Sequence, residues 1–113
     1  DDNSLNEALT YLTEAIKRNS AYPETYYGLG MYFYKDKNLK KALQYLQQAT
    51  ELSNNEKYAK AYASCLISDK QYDNALQYIT LINEKSLKLF LTAVIKFNKN
   101  DFAKRINGST TRV

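Results

Sequence analysis

The chain has 113 residues, 44% of them hydrophobic, and a formal net charge of +4, enough for one ordinary globular domain. Its 16 basic and 12 acidic residues are interspersed, a solvated surface rather than the basic stripe with interleaved glycines or aromatics of a nucleic-acid binder. One cysteine and no histidine exclude an intramolecular disulfide and a zinc centre, and remove the commonest general base.

In chain order, Ser4 and Glu7 form a Ser–x–x–Glu capping box that opens a helix predicted to reach about Asn19. Ser20–Pro23 is a turn, and Pro23 suits a first helical position, where its missing N–H costs little. The next helix runs to about Lys35 and carries Tyr26, Leu29, Gly30 and Phe33 on one face. Asp36–Asn38 turns the chain and supplies an N-cap for a helix over 39–53. Its apolar face is Leu39, Ala42, Leu43, Leu46, Ala49 and Leu52. Gly30 and Ala42 are the small residues that a close helix–helix approach needs.

After Ser53–Asn55 a helix runs from Glu56 to about Ser68, with Cys65 as a small buried residue. Asp69-Lys70 turns into a shorter helix that ends near Ile82. Ser86–Phe97 is helical, with Leu89 and Ala93 in the places of Ala59 and Ala63, and Lys96 where a core aromatic is expected. Asn98–Asp101 is predicted to turn, Phe102–Ile106 to begin a last short helix, and 107–113 to be a flexible tail.

These elements repeat. Ala8 to Ala42 and Ala15 to Ala49 are each 34 residues, and Ala42 to Ala75 and Gly30 to Ala63 are each 33. EALTYLTEAIK, KALQYLQQATE and NALQYITLI overlay apolar position on apolar position. A period of this length is the mark of stacked supersecondary units.

The residues that carry the period resemble the tetratricopeptide repeat (TPR) family over most of the chain. Tyr26, Leu29, Gly30 and Phe33 match its first helix, and Leu39, Ala42, Leu46 and Ala49 its second, with Asn54 where proline is usual. The next copy has Ala59, Tyr62, Ala63, Leu66, then Tyr72, Ala75, Ile79 and Ile82, with Ile82 replacing the usual alanine. The resemblance implies an all-α, right-handed α-α superhelix of about seven antiparallel helices. Its organisation is a TPR-like domain over 1–106, with a partial repeat 4–19, full repeats 23–55 and 56–83, and a partial or capping repeat 86–106. The first helix is a second helix with no partner before it, so the chain is expected to be a piece of a longer array, or else to carry an atypical N-terminal cap.

The resemblance also implies a function: a non-catalytic scaffold or adaptor that holds a peptide or helix of a partner protein in its concave groove. The family's groove positions fall on Glu24, Tyr27, Met31, Tyr34 and Lys35; then on Lys57, Lys60, Ser64 and Ile67; then on Leu87, Phe90, Val94 and Phe97. Such a groove is tyrosine-rich at one end, basic in the middle and apolar at the other. The C-terminal residues equally suit packing against another repeat or a second copy of the chain, so homo-oligomerisation through the C-terminal helices stays open. One subfamily clamps the terminal carboxylate of heat-shock chaperones; its positions here hold Tyr27, Met31 and Gly28, with Ala61 after a matching Lys57, so that partner is not expected.

No catalytic residue, metal ligand or cofactor motif is expected. Gly28-Leu29-Gly30 lies within a helix and lacks the glycine, lysine and strand of a phosphate loop. Acid pairs such as Asp69 and Asp73 stand on helix ends and turns, where capping is the ordinary role. No apolar run approaches the ~20 residues of a membrane span. The chain opens with DDNS rather than a signal peptide, and a cytoplasmic setting is expected. Asn107-Gly108-Ser109 is a glycosylation sequon if the chain is secreted, and Thr111-Arg112-Val113 has the form of a PDZ-domain ligand if Val113 is a true terminus.

Overall fold

The computed structural model describes residues 2–111, with the side chains of 4 and 6–100. Among the described residues there are six α-helices and no strand. They are α1 (Asp2–Arg18), α2 (Pro23–Lys35), α3 (Leu39–Leu52), α4 (Glu56–Ser68), α5 (Tyr72–Ile79) and α6 (Lys85–Thr111). Each helix packs on the next, and α2 also touches α4, two elements on. The result is elongated: its radius of gyration is 16.7 Å and its extents 60 × 32 × 20 Å, where a compact chain of this length would have a radius of about 13 Å.

Two hairpins, α2/α3 and α4/α5, carry the core. Leu29, Leu46, Leu66, Ile82 and Ile95 are all but fully buried, and Ala42, Ala49, Ala63 and Ala75 are completely so. Small residues set the spacing. A Cβ on Gly30 would come within 2.5 Å of the Leu46 side chain on α3, and one on Gly28 within 2.8 Å of a Leu12 methyl on α1. Helix α2 is therefore pressed between α1 and α3 through its two glycines.

Both hairpin turns use one device. Lys37 and Lys70 have positive φ, 62° and 65°. At each, the helix is closed by a six-to-one bond, Asn38 N–H to the Phe33 carbonyl at 2.8 Å and Gln71 N–H to the Leu66 carbonyl at 2.9 Å. The five-to-two bond from each lysine completes a Schellman motif. The following helices begin on Asn38, whose side chain accepts from Lys41 N–H, and on Gln71; Asn55 does the same for α4, accepting from Lys57 N–H.

The structure departs from the sequence reading in several places. Helix α1 begins at Asp2, so Ser4 lies inside its first turn and is not the N-cap. Helix α5 stops at Ile79, although Ile82 beyond it stays in the core through two successive turns. The expected turn at Asn98–Asp101 is absent, and α6 runs through it as one helix of 27 residues. That segment has no glycine or proline, and turning back would have added only the short apolar content of Phe102–Ile106 to the core. The helix continues to Thr111, through part of the expected tail; Arg112 and Val113 lie outside the described residues. Among the described residues there are thus six helices, where about seven were expected.

Helix α6 docks by Leu91 and Ile95, both buried, which stand 30 residues after Ala61 and Cys65. Leu89 and Ala93, expected in the core, are exposed because nothing described folds back over them. The α5–α6 turn is held from α4: the Glu56 carboxylate accepts from Asn83 N–H at 2.8 Å and Glu84 N–H at 3.1 Å. Those two donors keep its carboxyl below the ordinary range.

Candidate protein-binding groove

Helices α2 and α4 lie side by side, and between them is an open hollow of about 370 Å³. Tyr27, Met31 and Tyr34 form one wall, Lys57, Lys60 and Ser64 the other. Leu46, Ala61 and Leu87 of α6 complete the lining. Their spacing explains the alignment: positions three and four apart share one helix face, and α2 and α4 present that face to the same side.

The two walls are tied together by contacts that each span one repeat. The Glu24 carboxylate accepts hydrogen bonds from the Lys57 ammonium at 2.7 and 2.9 Å, across 33 residues. It also accepts from the Tyr58 hydroxyl at 2.7 Å, across 34. The Tyr34 and Ser68 hydroxyls pair at 3.3 Å, again across 34. The Lys57 ammonium lies 4.9 Å from the Tyr27 ring centre and 5.5 Å from that of Tyr58. The Lys57 and Tyr58 bonds hold the Glu24 carboxyl below its usual value, and the Glu24 carboxylate raises Lys57 in turn. Burial, then the bond to Glu24, pushes the Tyr58 hydroxyl up to about 12.

These contacts change the groove's expected electrostatics. Lys57 is not a free basic centre, since Glu24, another groove residue, neutralises it. Lys60 is half-buried and makes no salt bridge among the described residues, and its charge is felt by the Glu56 carboxylate one helical turn earlier; unlike Lys57 it is not bonded directly to a carboxylate. The sequence held the signal for this pair: Glu24 and Lys57 are one period apart.

The other expected site residues sit elsewhere. Lys35 lies in a neighbouring hollow with Lys37, Leu39 and Ser68. Ile67 packs against the core. Phe90, Val94 and Phe97 continue the Leu87 face along α6 by helical spacing but do not line the hollow; Phe90 is 62% exposed and Phe97 71%.

Paired helices, adjacent first helices in contact and ties that span 33–34 residues are repeat architecture. The tetratricopeptide repeat family model matches residues 1–65, more than half of the chain. The chain belongs to the tetratricopeptide repeat family. No curated protein matches it significantly. Tetratricopeptide repeats in general mediate protein–protein interaction and are typically non-catalytic. In this TPR chain no helix among the described residues is long and apolar enough to cross a membrane.

Proposed function

We propose that this TPR chain is a non-catalytic adaptor that holds a segment of a partner protein in the hollow between α2 and α4. The observation that carries the reading is the wall itself. Tyr27, Met31 and Tyr34 offer rings and a thioether to solvent across from Lys60, which makes no salt bridge among the described residues. Aromatic and methionine side chains supply adaptable apolar contact, and an ammonium not bonded directly to a carboxylate can steer and orient a charged partner. The matching segment is extended or helical, with apolar residues for the Tyr27/Met31 wall and an acidic residue placed for Lys60. Phe90, Val94 and Phe97 lengthen the same apolar track along α6.

The test is a peptide-library selection on the purified chain, followed by titration of the selected peptides. Selected sequences combine apolar residues with an acidic one. Lys60→Glu and Met31→Ala each weaken them about tenfold, while Lys35→Ala, in the neighbouring hollow, has little effect. Peptides indifferent to both groove substitutions would sink this assignment.

A further inference from the structure

Lysines are interspersed along the sequence, but folding gathers a run of them at one lateral edge of the stack. Residues 35–41, which lead from α2 into α3, hold Lys35, Lys37, Lys40 and Lys41 against one acid, Asp36. The Tyr34 and Ser68 hydroxyls, 3.3 Å apart, fasten the end of α2 beside the end of α4. Lys70, in the next hairpin turn, therefore belongs to the same edge. Lys35, Lys37, Lys40 and Lys70 are exposed and make no salt bridge among the described residues. The acids of the second turn are engaged: Asp69 accepts from the Gln71 side chain at 2.7 Å, and Asp73 from Lys99 at 2.9 Å.

At this edge is an open hollow of about 390 Å³, lined by Tyr34, Lys35, Lys37, Leu39 and Ser68. These residues come from α2, α3, α4 and the turn between α2 and α3, so neither the first nor the last helix is part of it. The lining offers two ammonium groups, two hydroxyls, a ring and an aliphatic side chain, and no carboxylate. Such a surface attracts negative charge and gives an apolar residue somewhere to sit. The backbone adds a separate observation. Lys37 and Lys70, at φ 62° and 65°, take a left-handed conformation where glycine is usual. No salt bridge within the described chain offsets that strain, and uncompensated strain of this kind points to a role outside the chain.

We infer that this edge docks an acidic segment of a protein partner. Its carboxylates pair with Lys35 and Lys37, an apolar residue between them seats on Tyr34 and Leu39, and Lys70 extends the attraction along the edge. Nucleic acid fits less well. Bases need open rings to stack on, and the ring here, Tyr34, is 39% exposed and tied through its hydroxyl. Phosphates are matched best by the arginine fork, and residues 34–41 and 68–71 contain no arginine. The docking surface is separate from the α2/α4 groove and stands whether or not that groove holds a ligand; the two meet at Tyr34, which lines both.

Fluorescence anisotropy with labelled synthetic peptides tests this. The probe carries one leucine flanked on each side by two glutamates. Comparison peptides replace the glutamates by lysines or the leucine by serine, and a short single-stranded oligonucleotide serves as a competing polyanion. The wild type binds the probe, less tightly as salt is raised; it does not bind the lysine peptide, and binds the serine peptide several-fold more weakly. Lys35→Ala and Lys37→Gly each weaken the probe by about two- to fivefold, the range of one exposed ion pair, and Lys35→Glu with Lys37→Glu abolishes binding. Lys37→Gly also relaxes the turn, so its weaker binding comes with a melting temperature at or above that of the wild type, which a damaged fold would not show. Met31→Ala, in the groove, leaves probe binding unchanged. A wild type that does not bind the probe, or binding indifferent to Lys35 and Lys37, would overturn the inference. So would an oligonucleotide that binds more tightly than the probe and displaces it, which would mean a general polyanion surface.

Discussion

The Glu24 carboxylate on α2 is bonded at once to the Lys57 ammonium and the Tyr58 hydroxyl on α4, one repeat away. This makes the tie between the repeats, and its small contribution to stability, pH-dependent. A carboxyl whose folded value is depressed adds stability above its unfolded value and loses it as pH falls through the folded one. Glu24 and Glu56 are both depressed from 4.5, so both contributions fade below that pH. Both groups are at the surface and the effect is modest. Thermal melts from neutral pH down to about pH 3 should show a steeper fall in Tm for wild type than for Glu24→Gln, with the curves converging in acid.

The two glycines of α2 should respond differently to alanine. At Gly30 the new Cβ meets the branch point of Leu46 at 2.5 Å and the Leu46 backbone nitrogen at 3.3 Å. Overpacking of that kind costs ~1–3 kcal/mol, against a helix-propensity gain of about 1 kcal/mol. At Gly28 the nearest atom is a terminal methyl of Leu12, which can swing aside. Urea denaturation should show Gly30→Ala destabilised by about 1–2 kcal/mol and Gly28→Ala near neutral or slightly stabilised.

Lys37 and Lys70 occupy left-handed backbone conformations that disfavour an L side chain by about 1–2 kcal/mol. Part of that is offset by the greater unfolded-state freedom of glycine. Lys37→Gly and Lys70→Gly should each raise stability by about 0.5–1 kcal/mol, additively, because the two turns share no partner. Chemical denaturation of the single and double variants checks this.

Cys65 is 1% exposed. Burial, with Asp69 nearby, pushes its thiol up to about 11. At pH 8 a thiol-reactive dye should label the native chain at a rate set by unfolding, and label the urea-unfolded chain at once. Labelling on mixing without denaturant would show that the α4 core opens readily.

Much of the fold was legible because the repeat writes itself twice. Ala8, Ala42 and Ala75 fix one helix type, and Gly30 with Ala63 the other. The departures come where a local signal depended on tertiary gain. Asn98–Asp101 has turn composition, but a turn needs something worth folding back, and Phe102–Ile106 offers little. Leu89 and Ala93 were matched to Ala59 and Ala63 at an offset of 30 residues, yet lie open because nothing described folds over them. In the groove, residue types and faces were readable for Tyr27, Met31, Tyr34, Lys57, Lys60 and Ser64. Charge balance was not read, because an ion pair across 33 residues requires adding the period to Glu24 as well as to the alanines. The positive φ of Lys37 and Lys70 had no composition cue, since glycine is the usual residue there.

The ties between α2 and α4 have a kinetic consequence. Glu24–Tyr58 and Tyr34–Ser68 each close a loop of 34 residues, and the helices pack chiefly on their sequence neighbours. Loops that short cost little entropy to close, and low contact order goes with rapid folding. Either hairpin can serve as the seed from which the stack grows in both directions. Damage at one end should therefore speed the loss of that end and leave the central seam to unfold at its own rate, much as a zipper opens from its nearest tooth.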